Sequence, residues 1–329
     1  MPTMTALVLI GALLLACAVD VGLGEPPARL HPVVWMGHYL GWAGEQVAPA
    51  AGVIDVASRD IPSFALGTAA WLAGAMGVVS IAWAIQSFAL MLLGHGWLAM
   101  VLAALLLGLA LKPLLAWRML RSEVLAVEAA LGESLQAGRE RLVWLVSRDV
   151  AALTPTQVRE SAIESLAENL NDSVVAPIFW FVLLGLPGAA LYRFANTADA
   201  MWGYPGVRDG RVWAWGGKWA ARADDVLSWV PARITALLLV GVSGGVPFAV
   251  LRREAGRTPS PNSGWPMAAM ALVLGVCLNK PGVYALNSSG RPPGVLDTSA
   301  AINCASKVIY VHILIASLAI LLIVNGIHP

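Results

Sequence analysis

The stretch Ala65–Leu93, which reads ALGTAAWLAGAMGVVSIAWAIQSFALMLL, contains no charged residue over its 29 positions. As an α-helix it would rise about 1.5 Å per residue and exceed the roughly 30 Å hydrocarbon core of a bilayer. It therefore predicts a membrane helix that tilts or protrudes. A second apolar run, Trp97–Leu111, follows a Gly-His-Gly turn and ends at Lys112-Pro113. The two runs together predict a helical hairpin.

The composition agrees with a membrane location. Of the 329 residues, 58% are hydrophobic and 12% are charged, whereas soluble domains carry about 25% charged residues. The chain is therefore predicted to be an integral membrane protein. A net charge of +1 without a basic run argues against a nucleic-acid partner. Three cysteines without a CxxC pair and five scattered histidines predict neither disulfides nor a zinc site, so oxygen ligands would hold any metal.

Four further apolar segments complete the prediction. Met1–Val19 is interpreted as a first membrane helix that is retained, and Val308–Val324 as a terminal span. Val174–Leu191 and Ile234–Leu251 are interrupted by glycine and proline, which is typical of re-entrant or buried helices that line a polar cavity. The fold class is thus an all-α integral membrane protein with roughly four to six membrane helices, some of them broken.

Residues 1–329 are predicted to form one membrane-embedded domain. Its polar regions, at about 112–172, 193–233 and 252–266, are expected to be large helical loops. Loops that carry Lys and Arg remain in the cytoplasm, which requires the segment 174–191 to enter and leave on the same face. We therefore expect a multi-pass protein of the cell (inner) membrane whose active site faces the cytoplasm.

An acidic row precedes the first broken segment. It consists of Glu160, Glu164, Glu168 and Asp172, spaced four residues apart. Residues at this spacing share one helix face, where like charges are destabilising, so a cation is expected to neutralise them. The alternative is a solvated helix face accompanied by Arg148 and Arg159.

Other polar clusters border apolar segments. Asp224-Asp225 suits Mg²⁺ held against phosphates, with Lys218 and Arg222 near enough to bind phosphate oxygens. The alternative for an aspartate pair alone is a helix N-terminus, and for Ser147-Arg148-Asp149 it is a helix cap. Nucleotide-binding loops such as GxxxxGK[ST] and GxGxxG are absent from the sequence.

Six tryptophans lie in polar regions and would suit a large planar ligand or an interfacial belt: Trp202, Trp213, Trp215, Trp219, Trp229 and Trp265.

These clusters occur in a recognisable order over nearly the whole chain. The motifs are Asp20, Gly24-Glu25-Pro26, Arg29-Leu30-His31-Pro32-Val33, Ser147-Arg148-Asp149, Glu164–Asp172, Pro177-Ile178-Phe179, Tyr192, Asn196–Tyr204, Lys218, Arg222–Asp225, Pro231-Ala232-Arg233 and Ser260–Pro266. In them the chain resembles the adenosylcobinamide-phosphate synthase family of cobalamin biosynthesis (CobD/CbiB). It departs from the family at Ala198, Ala200, Ser228 and Met267, and Lys280–Arg291 matches only loosely.

The resemblance implies an ATP-dependent amide ligation. A carboxylate of adenosylcobyric acid would be joined to (R)-1-amino-2-propanol O-phosphate or to aminopropanol, with ATP and Mg²⁺ as cofactors. The expected partners are these substrates and the lipid bilayer; a homo-oligomer, or a complex with other membrane enzymes of the pathway, is left open. The alternative is a non-catalytic membrane sensor or regulator, or a corrinoid-handling partner, on the same scaffold. A transporter is disfavoured because the charges lie mostly outside the predicted spans.

On this interpretation each charged cluster receives a role. Candidate catalytic residues are Glu164, Glu168, Asp172 and Asp225. Candidate substrate- and phosphate-binding residues are Arg148, Asn169, Asn196, Lys218, Arg222, Arg233 and Asn262. Candidate metal ligands are Glu168, Asp199, Asp224 and Asp225. All of them are expected to meet in one pocket at the inner leaflet and to hold a nucleotide-bound ion there.

Overall fold

The computed structural model describes residues 2–52, 55, 56 and 58–327. Within them the chain forms twelve α-helices and two short antiparallel hairpins. The helices are α1 (Pro2–Leu23), α2 (Pro32–Val47), α3 (Ile61–Met91), α4 (Trp97–Leu111), α5 (Trp117–Glu133), α6 (Leu135–Leu142), α7 (Pro155–Leu170), α8 (Ala176–Trp202), α9 (Lys218–Val242), α10 (Phe248–Ala255), α11 (Gly264–Leu274) and α12 (Val295–Ile327). Strands β1 (Val207–Arg208) and β2 (Arg211–Val212) form one hairpin, and β3 (Leu278–Lys280) and β4 (Tyr284–Leu286) the other.

Six helical segments of the described chain are long and apolar enough to cross a membrane. They are Pro2–Leu23, Ile61–Met91, Trp97–Glu133, Pro155–Trp202, Lys218–Val242 and Val295–Gly326. The protein is therefore an all-α, multi-pass membrane protein, which confirms the predicted class and the upper end of the predicted number of spans.

The individual spans agree with the sequence to different degrees. Helix α4 has the predicted bounds, and α3 is shifted by only a few residues from the predicted run. Of the predicted first span, Met1 lies outside the described residues, and α1 continues past Asp20 to Leu23. The terminal helix begins at Val295 instead of Val308, because hydropathy detects only its apolar part. Its first turn contains Asp297, which accepts a hydrogen bond from the Gly294 N–H (2.7 Å) and so fixes an earlier start.

Both interrupted segments are broken in the structure. In α8 the backbone of Gly185 leaves helical geometry, at φ 67° and ψ −155°. The side chain of Gln86 in α3 accepts a hydrogen bond from the Leu186 N–H (2.7 Å), and a Cβ atom on Gly185 would meet that side chain. A polar side chain thus replaces the backbone partner that the kink removes, as a helix in lipid requires. The run Ile234–Leu251 is two helices, because α9 ends at Val242 before Gly244 and Gly245, which have positive φ.

The chain divides into two compact units, each built from segments distant in sequence. Unit 1 comprises residues 1–115, 176–227 and 316–329, and unit 2 comprises residues 116–175 and 228–315. In unit 1, α1 packs on α4, and α8 packs on α2 and α3. In unit 2, α7 packs on α5, α6, α11 and β3. The polar regions predicted at 112–172 and 193–233 are largely helical, since they contain α5, α6, α7 and parts of α8 and α9.

A buried ion cluster ties together the helix ends of unit 1. The Lys112 ammonium lies 3.0 Å from Asp20 Oδ1 and 2.8 Å from Glu25 Oε2, and Glu25 also contacts His31 Nε2 at 3.1 Å. Burial disfavours the charge of Glu25, but the hydrogen bonds from His31 and Lys112 outweigh it and lower the pKa of the carboxyl group. The motif residues at 20, 25 and 31 therefore act here as a structural clamp.

We expect Lys112→Met to destabilise the protein strongly. The substitution removes the cation shared by two largely buried carboxylates, a change that costs about 3–5 kcal/mol of unfolding free energy. Thermal unfolding of the detergent-solubilised variant measures this loss. Lys307→Met, at an exposed position of α12, is the control. Equal melting temperatures for the two variants would contradict the clamp.

Candidate functional site

The acidic row lies on α7 and is buried at its centre. Helix α7 begins after a capping box in which the Thr154 hydroxyl accepts from Gln157 N–H and the Gln157 side chain accepts from Thr154 N–H. Glu160 and Glu164 are only 6% and 4% exposed. The alternative of a solvated helix face is therefore wrong for these two residues. Each carboxyl group must either pair with a positive group or take up a proton, because an unpaired buried charge is costly.

Arg148 supplies one balancing charge. Its Nη2 lies 3.1 Å from Glu164 Oε2 and also donates to the hydroxyl of Ser161. Arg159 instead pairs with Glu128 of α5 at 2.9 Å, and the Thr298 hydroxyl donates to the same carboxylate at 2.7 Å. Only Arg148, of the two arginines considered from the sequence, therefore pairs with the acidic row.

The row does not continue regularly to Asp172. Helix α7 ends at Leu170, and residues Asn171–Val175 form a wider, π-helical turn. Asn171 donates to Asp172 at 2.8 Å and accepts from the Thr235 hydroxyl at 3.0 Å. The wider turn changes the angle at which Asp172 follows Glu168, so Asp172 lies outside the regular i, i+4 register. It is also not among the residues that line the cavity described next.

A polar cavity of about 160 Å³ lies beside the row, within unit 2. Its polar lining consists of Ser147, Arg148, Ser161, Glu164, Ser165, Glu168, Asn169, Lys280 and Tyr284. The structure thus brings together four residues that the sequence proposed for the site, namely Arg148, Glu164, Glu168 and Asn169. Two cations and two carboxylates share this small space.

The sequence did not identify Lys280 and Tyr284 as site residues. They lie directly opposite each other across the β3–β4 hairpin, and the turn between them contains Gly282 at φ 75°. A Pro-Gly pair between short polar and apolar residues is a hairpin signal, and it could have placed the two side chains together. Nothing in the local sequence indicates that this hairpin packs on α7.

Burial and the nearby carboxylates also set the protonation of two groups outside the spans. Burial, together with the charges of Glu164 and Glu168, raises the pKa of Tyr284, so its hydroxyl stays a neutral hydrogen-bond donor. Burial and the acidic residues Glu160 and Glu164 likewise raise the pKa of Cys277. A thiol of this kind is a poor nucleophile at neutral pH.

Arg233 and Asn262 form a separate cluster in unit 2. Arg233 Nη1 donates to the Asn262 side chain at 3.0 Å and to the Trp229 carbonyl at 2.6 Å. Its guanidinium also lies over the rings of Trp229 and Trp265, at 4.2 and 4.8 Å. Phosphate binding by Arg233 stays a prediction, and it would require exchange of some of these contacts.

The remaining predicted residues belong to unit 1. They are Asn196, Asp199, Lys218, Arg222, Asp224 and Asp225. Asn196 Nδ2 donates to Asp224 Oδ1 at 3.4 Å, and Lys218 Nζ lies 3.9 Å from the centre of the Trp215 ring. The structure therefore divides the predicted set between the two units. A single pocket that contains all of these residues stays a prediction.

The carboxylates of the described residues can be compared with the ligands that the predicted Mg²⁺ ion requires. Within the described parts of the chain, no group of three or more His, Cys, Asp or Glu side chains is arranged to hold a metal. Mg²⁺ nevertheless commonly takes one or two carboxylates, with waters and substrate phosphates completing its shell. The adjacent pair Asp224-Asp225 fits such a site, in which a bound phosphate would complete the coordination.

Each of the six polar-region tryptophans has a packing or cation–π partner. Trp202 and Trp213 are buried and stack on each other with ring centres 5.9 Å apart. Trp219 packs edge-on against Trp71 at 6.1 Å. Trp215 forms a cation–π contact with Lys218, and Trp229 and Trp265 form such contacts with Arg233. A planar-ligand site built from these rings therefore stays a prediction, and for Trp202 and Trp213 the structure shows core packing.

The fold and the site define a class, namely helical multi-pass membrane proteins with a small charged pocket beside an acidic helix. The chain belongs to the CobD/CbiB protein family, whose sequence model matches residues 13–309. This confirms the resemblance drawn from the motifs.

Individual relatives agree with this membership. The chain is 41% identical over 300 residues to a "Probable cobalamin biosynthesis protein CobD" of Methanothermobacter thermautotrophicus, covering 89% of this chain and 91% of the relative. It is 37% identical to a protein of the same description from Thermococcus kodakarensis, covering 96% of each chain. A "Cobalamin biosynthesis protein CobD" of Chromobacterium violaceum is 39% identical, covering 85% of this chain and 84% of the relative. No solved structure matches the chain.

Proposed function

We propose that the protein is an enzyme of cobalamin biosynthesis that forms an amide between adenosylcobyric acid and (R)-1-amino-2-propanol O-phosphate, or aminopropanol, at the expense of ATP. Family membership supports the pathway. The observation that carries the reaction is the pocket beside α7, where Arg148 and Lys280 face Glu164 and Glu168. Paired positive and negative groups suit a small substrate that itself carries both an amine and an anion.

The chemistry requires the carboxylate to be activated. An oxygen of the carboxylate attacks the terminal phosphorus of ATP, ADP leaves, and an acyl phosphate results. The amine then attacks the acyl carbon, inorganic phosphate leaves, and the amine nitrogen loses a proton. Glu164 and Glu168 would hold the ammonium group, and Glu168 would take one proton from it so that the nitrogen lone pair can attack. The second proton, released as the amide forms, would leave with the inorganic phosphate. Mg²⁺, when bound, would neutralise phosphoryl charge.

The size of the pocket favours the amine as its ligand. Drug-sized ligands need roughly 300–1,000 Å³, whereas this cavity measures about 160 Å³. A nucleotide or a corrin ring exceeds it, and a short aminoalkanol phosphate does not. We therefore assign the nucleotide phosphates and their Mg²⁺ to Asp199, Asp224 and Asp225, with Lys218 and Arg222 as phosphate-binding residues.

The proposed location is the cell (inner) membrane, with the site open to the cytoplasm. Six apolar helices support a multi-pass protein. The cytoplasmic orientation is supported by the Lys and Arg residues between the spans and by the ATP supply on that side. Cysteine labelling from each side of the membrane, at positions such as Ser134 and Gly256, would test it.

One reaction mixture tests the function directly. The protein is purified in detergent and incubated with ATP, Mg²⁺, adenosylcobyric acid and aminopropanol phosphate. We expect a product with the mass of adenosylcobinamide phosphate and one molecule of ADP released per molecule of product. No product should form when ATP is omitted. ATP-independent formation, or no product under any of these conditions, would contradict the ligase. The latter result would favour the non-catalytic regulator.

A further inference from the structure

The two cations of the pocket are in different electrostatic situations. Arg148 is engaged by Glu164 and Ser161. Lys280 faces the same cavity, but within residues 2–52, 55, 56 and 58–327 its ammonium forms no ion pair. The pocket thus contains one cation that forms a salt bridge with Glu164 and one, Lys280, whose charge also stabilises the Glu164 carboxylate but whose ammonium forms no salt bridge in the described part of the chain.

An acceptor complements Lys280 on the opposite wall. Oε1 of Glu164 has no hydrogen-bond partner in the described part of the chain, although the residue is buried. A buried carboxylate oxygen without a partner is costly, so a cationic ligand group would lower its energy. The pocket therefore offers an anion site on the β3–β4 hairpin and a cation site on α7.

We propose that Lys280 binds the phosphate of the small amine substrate and determines whether the enzyme prefers the phosphorylated or the free aminoalkanol. The ligand class is a short primary amine that carries a phosphate monoester. This inference rests on the proposed function, because it assigns a substrate to the same pocket. The observation that supports it is the β3–β4 hairpin, which packs on α7 and places Lys280 opposite Tyr284.

Lys280 suits this role better than Arg148. A phosphate monoester carries about −1.5 to −2 charges at neutral pH, and Arg148 would have to leave Glu164 to bind it. Lysine binds phosphate as a point charge on a flexible stem, which a ligand can engage without breaking an existing pair. The neutral hydroxyl of Tyr284 donates to Met267 Sδ at 3.7 Å and interacts with Glu164, and it could bind the same phosphate only by exchanging these contacts.

A simpler explanation is that Lys280 only balances the charge of Glu164. It predicts a different result from our proposal. Loss of a purely balancing charge would affect phosphorylated and unphosphorylated amines equally, whereas loss of a phosphate-binding group affects only the former.

The test compares three lysine substitutions. Lys280→Met is compared with Lys307→Met, which changes an exposed lysine outside the pocket, and Lys280→Arg keeps the charge. Isothermal calorimetry in detergent, without ATP or corrinoid, measures Kd for aminopropanol phosphate and for aminopropanol, and turnover gives KM for each. In Lys280→Met we expect Kd and KM for the phosphorylated amine to rise about 10- to 100-fold. In the same variant, Kd and KM for the free amine should change less than twofold. Lys307→Met should resemble the parent, and Lys280→Arg, which keeps the charge, should lose less affinity for the phosphorylated amine than Lys280→Met.

The possible outcomes distinguish a failure of the role of Lys280 from a failure of the proposed ligase function. Equal losses for both amines, or no loss for either, would overturn the role of Lys280 while leaving ligation intact. If the parent protein binds aminopropanol phosphate in a Lys280-dependent manner but forms no amide, the proposed ligase function fails, whereas phosphate binding by Lys280 stands. A melting temperature for Lys280→Met close to that of Lys307→Met confirms that the comparison concerns folded protein.

Discussion

Glu168→Ala is expected to lower the turnover number for amide formation by about 10²- to 10⁴-fold, the range for loss of a general base. Glu168 lines the pocket and, unlike Glu160 and Glu164, is partly accessible in the structure. It is therefore placed to receive the proton that the amine releases when it attacks. The measurement is the rate of product formation by mass spectrometry at saturating ATP and corrinoid.

A matched glutamate substitution separates chemistry from folding. Glu133→Ala changes an exposed glutamate at the end of α5 in the same unit. We expect it to keep near-normal turnover, and both variants should insert into the membrane in similar amount. Near-normal turnover in Glu168→Ala would remove Glu168 from the reaction and would leave Glu164 as the carboxylate of the pocket.

Asp225→Ala is expected to abolish turnover through a different step. Asp225 is assigned, with Asp224 and Asp199, to the Mg²⁺ ion that nucleotide phosphates would complete, and removing one of these carboxylate ligands leaves too little negative charge to hold the ion. We expect turnover to fall at least about 10²-fold, and the Mg²⁺ concentration for half-maximal rate to rise in any residual activity. ADP release should fall in parallel with product.

Asp209→Asn is the control for this variant. Asp209 belongs to the same unit, its side chain is 89% exposed, and its backbone has φ 51°. Asparagine tolerates that left-handed geometry, so the substitution removes a charge without adding strain. If Asp225→Ala kept near-normal activity and Mg²⁺ dependence, the assignment of metal ligands would be wrong.

Local sequence properties determined the class of this protein and several of its elements. The uncharged run 65–93 and the run Trp97–Leu111 became helices at or near the expected bounds, because hydropathy and length alone decide whether a segment can span a bilayer. The breaks near Gly185 and Gly244 were also visible, since glycine and proline act on the backbone where they stand. The four-residue spacing of the acidic residues predicted that they share one face of a helix, and Glu160, Glu164 and Glu168 lie on α7.

Features that join distant parts of the chain were not visible in the sequence. Gln86 lies a hundred positions before the Leu186 N–H whose lost helical partner it replaces. Arg159 pairs with Glu128 instead of the neighbouring acidic row, and Arg233 lies between two indole rings. Each of these choices depends on which helix faces lie together. Residue spacing within one helix does not contain that information.

The site shows the same division. From residue types and order, the sequence predicted that Arg148, Glu164, Glu168 and Asn169 lie together, and the structure places all four on the lining of one cavity. The order of the motifs also identified the family. Only the tertiary structure decided that Glu164 is buried, that Asp172 leaves the row at a wide turn, and that Lys280 and Tyr284 complete the pocket. The physical reason is that charge and periodicity are local properties, whereas burial and the pairing of charges depend on how separate segments of the chain pack together.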